Sequence, residues 1–589
     1  VIVSVIVRQL LELVGRKLSY GEIEESLFLL KSEVERTDDE TIAVEVNPDR
    51  QDLLSTEGIA RALRAFLGIS TGPVEYRVRR SGSQVIVSKG LEKIRPYIAC
   101  GIAKGVQVSD ELIKEYMHLQ ELLTDTHGRN RRKASIGLYV LDDIAFPIMY
   151  HLEKPENIRF VPLGHETEMD GPTIIRQHEK GILYGSIIAD FKKWPLLSDS
   201  SGHILSLPPI INSSDLGKIT DKTSNIFVEV TGNHLPTVNQ ALNIMITSLA
   251  ERGARLESVT VTYPDGSKME TPDLTPSKMT ISTASVVSLT GIPLSDREVV
   301  QCLHRMCYGA TITKPGTISV ETPPYRTDIM HEVDVFEDIA IGYRFDRIEP
   351  TFPGTMTVGK LLPSTRLKRK ARDLMIGVKY QEVVSYVMTS PENLTTRVER
   401  NSPMVSTGNP KSKEYSVLRN SLLPILLDFA SRNQHAEYPQ RLFEIGEIVS
   451  PEENSETRSR QVPAVCGLVV DSRVNLTDMM SELAFVLRGL GLEGRFSFAS
   501  RTDATFIDGR SGTILIDARP SGYFGEVSPV VLANYMLGKP TVTFELELPR
   551  SGSWDQSEMS VPSGVTAQKT YKKSTTHKSD GHQRPAQAR

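Results

Sequence analysis

The spacing of apolar residues along this chain switches repeatedly between two periods, and each switch marks an element. VIVSVIV, followed by RQLLELV, reads as a strand running into an amphipathic helix. It lacks the basic n-region of a signal peptide and carries Arg8 inside its apolar run. TIAVEV predicts a strand and LLSTEGIARALRAFLGI a helix, with NPDRQD between them as a turn. A second set begins near VEYRVRRSGSQVIVSKG. It holds the helix SDELIKEYMHLQELLTD, several strands and the long helix NQALNIMITSLAERG, and YPDGSKMETPDLTPSK breaks the pattern after it. A third has strands, a helix at SDREVVQCLHRMCYG and an acidic helix; a fourth runs from STRLKRKARDLMIG to VTFELEL. The expectation is an α+β multidomain protein divided at 1–75, 76–268, 269–350 and 351–548, with a polar tail at 549–589. That tail has no Leu, Ile or Phe, so it buries too little surface to offset chain entropy and is expected to be disordered.

Composition narrows the class only slightly. Apolar residues make up 39% and charged residues 24% of the 589, which is ordinary for a soluble protein. A net charge of −5 gives no global nucleic-acid signature, so RNA contact would have to come from local patches such as GRNRRK (128–133) or RLKRKAR (366–372). Clusters of this size are more often solvated. Cys100, Cys302, Cys307 and Cys466 lack zinc spacing and fit a reducing compartment. No stretch approaches a bilayer-spanning length, and the expected location is cytoplasmic.

Candidate chemistry starts at PPYRTDIMHEVDVFEDIAIGY (323–343). Asp328, Glu332, Asp334, Glu337 and Asp338 lie between Arg326 and Arg344 with no Lys or Arg among them. Ile329, Val333, Phe336, Ala340 and Tyr343 form a helical stripe that puts Asp334, Glu337 and Asp338 on one flank, with Asp328 at the N-cap. Two readings stay open: a solvated acidic face, or an oxygen-only site for a hard cation such as Mg²⁺. GTMTVGKL (354–361) resembles a P-loop, but Leu361 stands where Ser or Thr would hold the metal. GLGLEG (489–494) follows a helix instead of a strand, so its first glycine reads as a C-cap. There is no GxSxG, HExxH or CxxC.

Several strings agree in order. VNPDRQDLLSTEGIARAL, IRPYIACGIAKGV, SLPPIINSSDLGKIT, FVEVTGN and PPYRTDIMHEVDVFEDIAIGY, then VLRNSLLPILLDFASRN, RLFEIGEIV and GYFGEVSPVVL, resemble the β subunits of phenylalanyl-tRNA synthetase in their archaeal and eukaryotic cytosolic form. The resemblance covers residues 1 to about 548. It implies an α2β2 phenylalanine–tRNA ligase in which the α subunit holds ATP and phenylalanine. The β chain contributes an N-terminal mixed domain, an editing domain that binds tRNA, a winged-helix-like magnesium-binding domain and a degenerate class II catalytic-like domain with an antiparallel sheet. Arg441 and Glu444 are spaced as RxxE, where an active class II site would show RxE, in keeping with an inactive core.

By the same resemblance, magnesium falls on Asp328, Asp334, Glu337 and Asp338 in a structural role, with Glu332 left on the surface. The editing pocket, which would hydrolyse tyrosine mischarged on tRNA(Phe), falls on Leu197, Ser206, Glu229 and Thr231, with Pro208 and Pro209 shaping its wall. The period of FVEVTG puts Phe227, Glu229 and Thr231 on one face, and Glu229 is the candidate acceptor for the tyrosyl hydroxyl. Ser206 or Thr231 would hold the hydrolytic water. Without the resemblance each has a plain reading: a satisfied strand edge, a turn residue, a surface ion pair. LLTDTHGRN also departs from the family string before GRxRRK, with His127 displaced. A free-standing deacylase and a structural RNA-binding scaffold are the competing functions.

Overall fold

The computed structural model describes residues 1–549, apart from 39, 353 and 355–357, together with Trp554. It divides into two compact units, 1–352 and 353–589. Most of the expected tail lies outside the described residues, as does part of GTMTVGKL. Trp554, inside that tail, is buried against the core of the second unit.

The first unit carries three main sheets. Strands Ile2–Ile6, Thr41–Val46 and Ser32–Arg36 pair antiparallel; helices Val7–Val14 and Thr56–Phe66 fall where the pattern predicts, while helix Tyr20–Leu29 and strand Ser32–Arg36 are additional to it. The large sheet has ten strands. Its path starts at Ile211–Asn212 and passes through Ile204–Leu207, Trp194–Ser198 and Ile148–Glu153 to the centre. It ends with Tyr97–Lys104, Asn225–Gly232 and Ala134–Val140. Helix Leu235–Glu251 packs over Tyr97–Lys104 and Asn225–Gly232. Both faces of Asn225–Gly232 are therefore buried: Ile226, Val228 and Val230 enter one core and Phe227 another. The third sheet, Ser277–Ser282, Thr317–Thr322 and Gly309–Lys314, carries helices Thr283–Thr290, Asp296–Arg305 and Glu332–Tyr343.

YPDGSKMETPDLTPSK is more than a break. Asp265 accepts from the Ser267 N–H, Gly266 takes φ +84°, and Lys268–Thr271 returns as a strand on Arg255–Thr262. The polar residues hid a hairpin.

The second unit holds a seven-stranded sheet, antiparallel except where Gln381–Glu382 runs parallel to Gln440–Pro451. Helices Pro363–Gly377 and Leu476–Gly489 join one of its cores, and Leu423–Arg432 joins the other. Glu444 is buried and bound by Arg419 at 2.6 Å, while Arg441 pairs with Glu482 at 2.6 Å. The RxxE residues thus point to separate ion pairs. In GLGLEG, Gly489 ends the helix and Gly491 takes the left-handed φ of +87°.

Candidate functional site

The large sheet is open as a ladder, yet its two ends meet through side chains. Tyr139, on the edge strand Ala134–Val140, puts its hydroxyl 2.9 Å from Ser206 Oγ and 3.3 Å from Asn212 Oδ1 at the far end of the sheet. Asn212 Nδ2 donates to the Leu138 carbonyl at 3.3 Å. A cavity of about 430 Å³ opens at this seam, within the usual size of ligand sites.

Glu229 stands in its wall. Gly137 is its register partner, and a Cβ there would fall 2.5 Å from Glu229 Oε2 and against the Tyr139 hydroxyl, so the missing side chain makes room for the carboxylate. Tyr139 holds Oε2 at 3.0 Å, whereas Oε1 is buried without a partner. Burial raises the Glu229 pKa to about 7, against the pull of the Tyr139 and Thr231 hydroxyls and the Arg95 charge. An unpaired buried oxygen on a residue that lines a cavity is a place where an incoming donor would remove a desolvation cost.

The four residues expected here divide into two kinds. Ser206 and Glu229 line the cavity, as do Pro208 and Pro209. Leu197 and Thr231 do not. Leu197 is fully buried and pairs in register with Ser206, backing the strand that presents it. The Thr231 hydroxyl receives Arg95 Nε at 2.9 Å and lies 3.3 Å from Ser135 Oγ. Arg95, itself buried, also donates to the Arg131 carbonyl. Arg131 of GRNRRK is then neither solvated nor free for phosphate: its Nη1 donates to the carbonyls of Pro209 (3.1 Å) and Ile210 (2.8 Å), and its guanidinium sits 4.2 Å over the Tyr184 ring. His127 bonds Gln240 instead of entering the cavity. In the second basic stretch, Lys368 and Arg372 are ion-paired with Glu447 and Glu382.

The acidic helix is compensated by protein cations. His331, not Asp328, is its N-cap, and Asp334 closes the capping box by accepting the N–H groups of Met330 and His331 at 2.8 Å each. Asp328 turns back to Arg326, which binds both its oxygens at 2.7 and 2.8 Å. The same guanidinium reaches Asp338 at 2.7 Å, and Asp338 is buried, not on a flank, with the Tyr308 hydroxyl donating at 2.5 Å. Glu337 pairs with Lys31 at 3.1 Å. Val333, assigned to the apolar stripe, is exposed, and Val335, Ile339 and Ile341 fill the core instead. Among the described residues no three His, Cys, Asp or Glu side chains are grouped to hold a metal ion. The all-oxygen donors suit Mg²⁺ by chemistry, but as placed Asp328, Asp334, Glu337 and Asp338 are engaged by Arg326, Lys31 and the helix cap and do not form a cage for it.

Two family models match. "Phenylalanyl tRNA synthetase beta chain CLM domain" covers residues 348–548 and "tRNA synthetase B5 domain" covers 279–345. The phenylalanine–tRNA ligase beta subunit of Pyrococcus furiosus is 38% identical over 543 residues, 91% of this chain and 97% of that one. The chain belongs to this family of beta subunits. The homologue from Methanococcoides burtonii is 37% identical over 523 residues, 88% of this chain and 95% of its own. An N-terminal fragment of the Pyrococcus horikoshii phenylalanyl-tRNA synthetase beta subunit matches with TM-score 0.56 and 38% identity, over 58% of this chain and 99% of the fragment. A beta subunit of this family thus carries, in its first unit, a cavity with a half-satisfied carboxylate.

Proposed function

We propose that the chain is the β subunit of a cytoplasmic α2β2 phenylalanine–tRNA ligase, and that the cavity at the sheet seam hydrolyses tyrosyl-tRNA(Phe). ATP-dependent attachment of phenylalanine to tRNA(Phe) belongs to the α partner, which holds ATP and phenylalanine. The observation that carries the editing reading is the unpartnered Oε1 of Glu229 in the cavity wall. A tyrosyl hydroxyl would satisfy it, and a phenylalanyl ring would leave it unpaired, which is the condition for strong discrimination. The ester end would lie toward Ser206, whose hydroxyl lines the cavity beside the Tyr139 hydroxyl (2.9 Å) and can position water with it; Thr231, engaged by Arg95, supports the wall instead.

The division into an N-terminal domain (1–75), editing domain (76–268), magnesium-binding domain (269–350) and inactive class II-like core (351–548) belongs to the same proposal. Magnesium at Asp328, Asp334, Glu337 and Asp338 has donor chemistry in its favour and would have to displace the Arg326 and Lys31 pairs; elemental analysis of the purified complex decides between them, metal present and lost in Asp334→Asn plus Glu337→Gln supporting the site and no metal in the parent overturning it.

The deciding experiment co-expresses the chain with an α-type partner and assays charging and tyrosyl-tRNA deacylation with and without that partner. Charging only in the complex, with Glu229→Gln weakening deacylation and sparing charging, is the expected result. Deacylation by the chain alone with no complex formed would favour a free-standing hydrolase, and no deacylation at all a scaffold.

A further inference from the structure

A second, much smaller cavity of about 10 Å³ lies inside the first unit, where the segment after Thr41–Val46 meets the segment before the acidic helix. Its size suits one water or one monatomic ion. Its walls are unusual in charge: Arg50, Arg61, Arg305 and Arg326 line it, with Asp52 the one carboxylate, and the Tyr325 ring closes a side. Both Asp52 oxygens are taken by Arg50, from Nε at 2.8 Å and Nη2 at 2.9 Å. Asp328 and Asp338 occupy Arg326 through Nε and Nη2 and do not line the cavity.

What remains unpaired is all of one kind. Arg50 Nη1, Arg61 Nη2, Arg326 Nη1 and the Tyr325 hydroxyl are buried with no hydrogen-bond partner. Arg50, Arg61 and Arg326 are 4%, 2% and 8% exposed, so bulk water does not serve them. Arg50 and Arg326 also repel one another across this space. Orphaned buried guanidinium N–H groups are costly, and several around one void require an acceptor there. Arg61 lies 3.9 Å from Glu251 and Arg326 has two carboxylates, so what the cavity lacks is an acceptor for these N–H groups; a single water accepts at most two of them and leaves the others unpaired. We propose that this cavity binds one monatomic anion of the halide class, held by Arg50 Nη1, Arg61 Nη2, Arg326 Nη1 and the Tyr325 hydroxyl. The anion joins three separate chain segments into one buried charge network and adds to the stability of the first unit.

The probe is bromide, used with the full-length chain. Crystals soaked in bromide should show an anomalous peak between the three guanidiniums. In solution at constant ionic strength, the midpoint of thermal unfolding should be about 2–4 °C higher in chloride than in gluconate. Excluded organic anions tend to favour folded states in general, so a gain in chloride isolates the site from bulk salt effects. Tyr325→Phe, which keeps the ring on Arg61 and removes one donor, should reduce that chloride dependence by at least half. An ordered water with no bromide peak overturns the proposal, as does a peak with equal melting in both salts, which would mark an adventitious ion only.

Discussion

Glu229 and Asp338 are both carboxylates buried to within 2–3% of full coverage in the same unit, and they are treated in opposite ways. Asp338 is held by Arg326 and Tyr308, a cation and a hydroxyl supplied by the chain itself. Glu229 is held through Oε2, its Oε1 has no partner, and the residue lines a cavity of about 430 Å³. Burial is shared; pairing is not. A carboxylate whose charge is fully matched inside the chain serves the packing of that chain, while one left short of a donor beside open space stores a penalty that a visiting donor removes.

The comparison breaks most sharply at Arg326. Arg326→Met leaves Asp328 and Asp338 without their cation and should cost about 3–5 kcal/mol in urea unfolding of the first unit. A loss below about 1 kcal/mol would mean that the pairing is dispensable. Glu229→Gln should behave in the opposite sense. Its ordinary pKa is 4.5 and its folded value about 7, so between those pH values the folded chain keeps a proton that the unfolded chain releases. Stability therefore declines as pH rises across that window and is level above it. The penalty at pH 8 is on the order of 3 kcal/mol. Glu229→Gln should remove this slope and stabilise the protein at pH 8, while tyrosyl-tRNA deacylation falls by roughly 10–100-fold. A parent protein with a flat profile from pH 4.5 to 7 would place Glu229 with the paired carboxylates.

Smaller changes test the shape of the pocket. Gly137→Ala drives a methyl group toward Glu229 Oε2 and the Tyr139 hydroxyl and should cost about 1–3 kcal/mol, with loss of deacylation exceeding loss of charging. Tyr139→Phe removes the 3.0 Å hydrogen bond to Glu229 Oε2 and should change stability by only about 1 kcal/mol. It should raise the KM for tyrosyl-tRNA more than it lowers kcat, because the carboxylate then loses its aim.

Local pattern carried much of this and failed where pairing is long-range. The helices Asp110–Asp125, Leu235–Glu251 and Asp296–Arg305 follow from apolar spacing and polar caps, and the period of FVEVTG puts Glu229 and Thr231 on one face. That period does not say what lies opposite. Tyr139 and Asn212 emerge only once Ala134–Val140 is placed beside Asn225–Gly232 and the sheet curls its ends together, a matter of register between segments some 70–90 residues apart. Arg95 was likewise silent, since a buried guanidinium behind a strand has no local spacing to mark it. In the acidic segment the charges were legible, but their partners were not: Arg326 lies two residues from Asp328, yet Lys31 is more than 300 residues from Glu337. The N-cap went to His331 because Asp328 was already committed to Arg326.

The seam itself has a further consequence. Neighbouring strands of the large sheet are joined by backbone ladders, but its two ends meet through side chains, Tyr139 on Ser206 and Asn212, Asn212 on the Leu138 carbonyl and Arg131 on the carbonyls of Pro209 and Ile210. Such a closure should be the first line to open on warming, because it has no backbone ladder to hold it. On the editing role proposed for the cavity, rejection of tyrosine should accordingly fade at temperatures where circular dichroism still reports an intact protein.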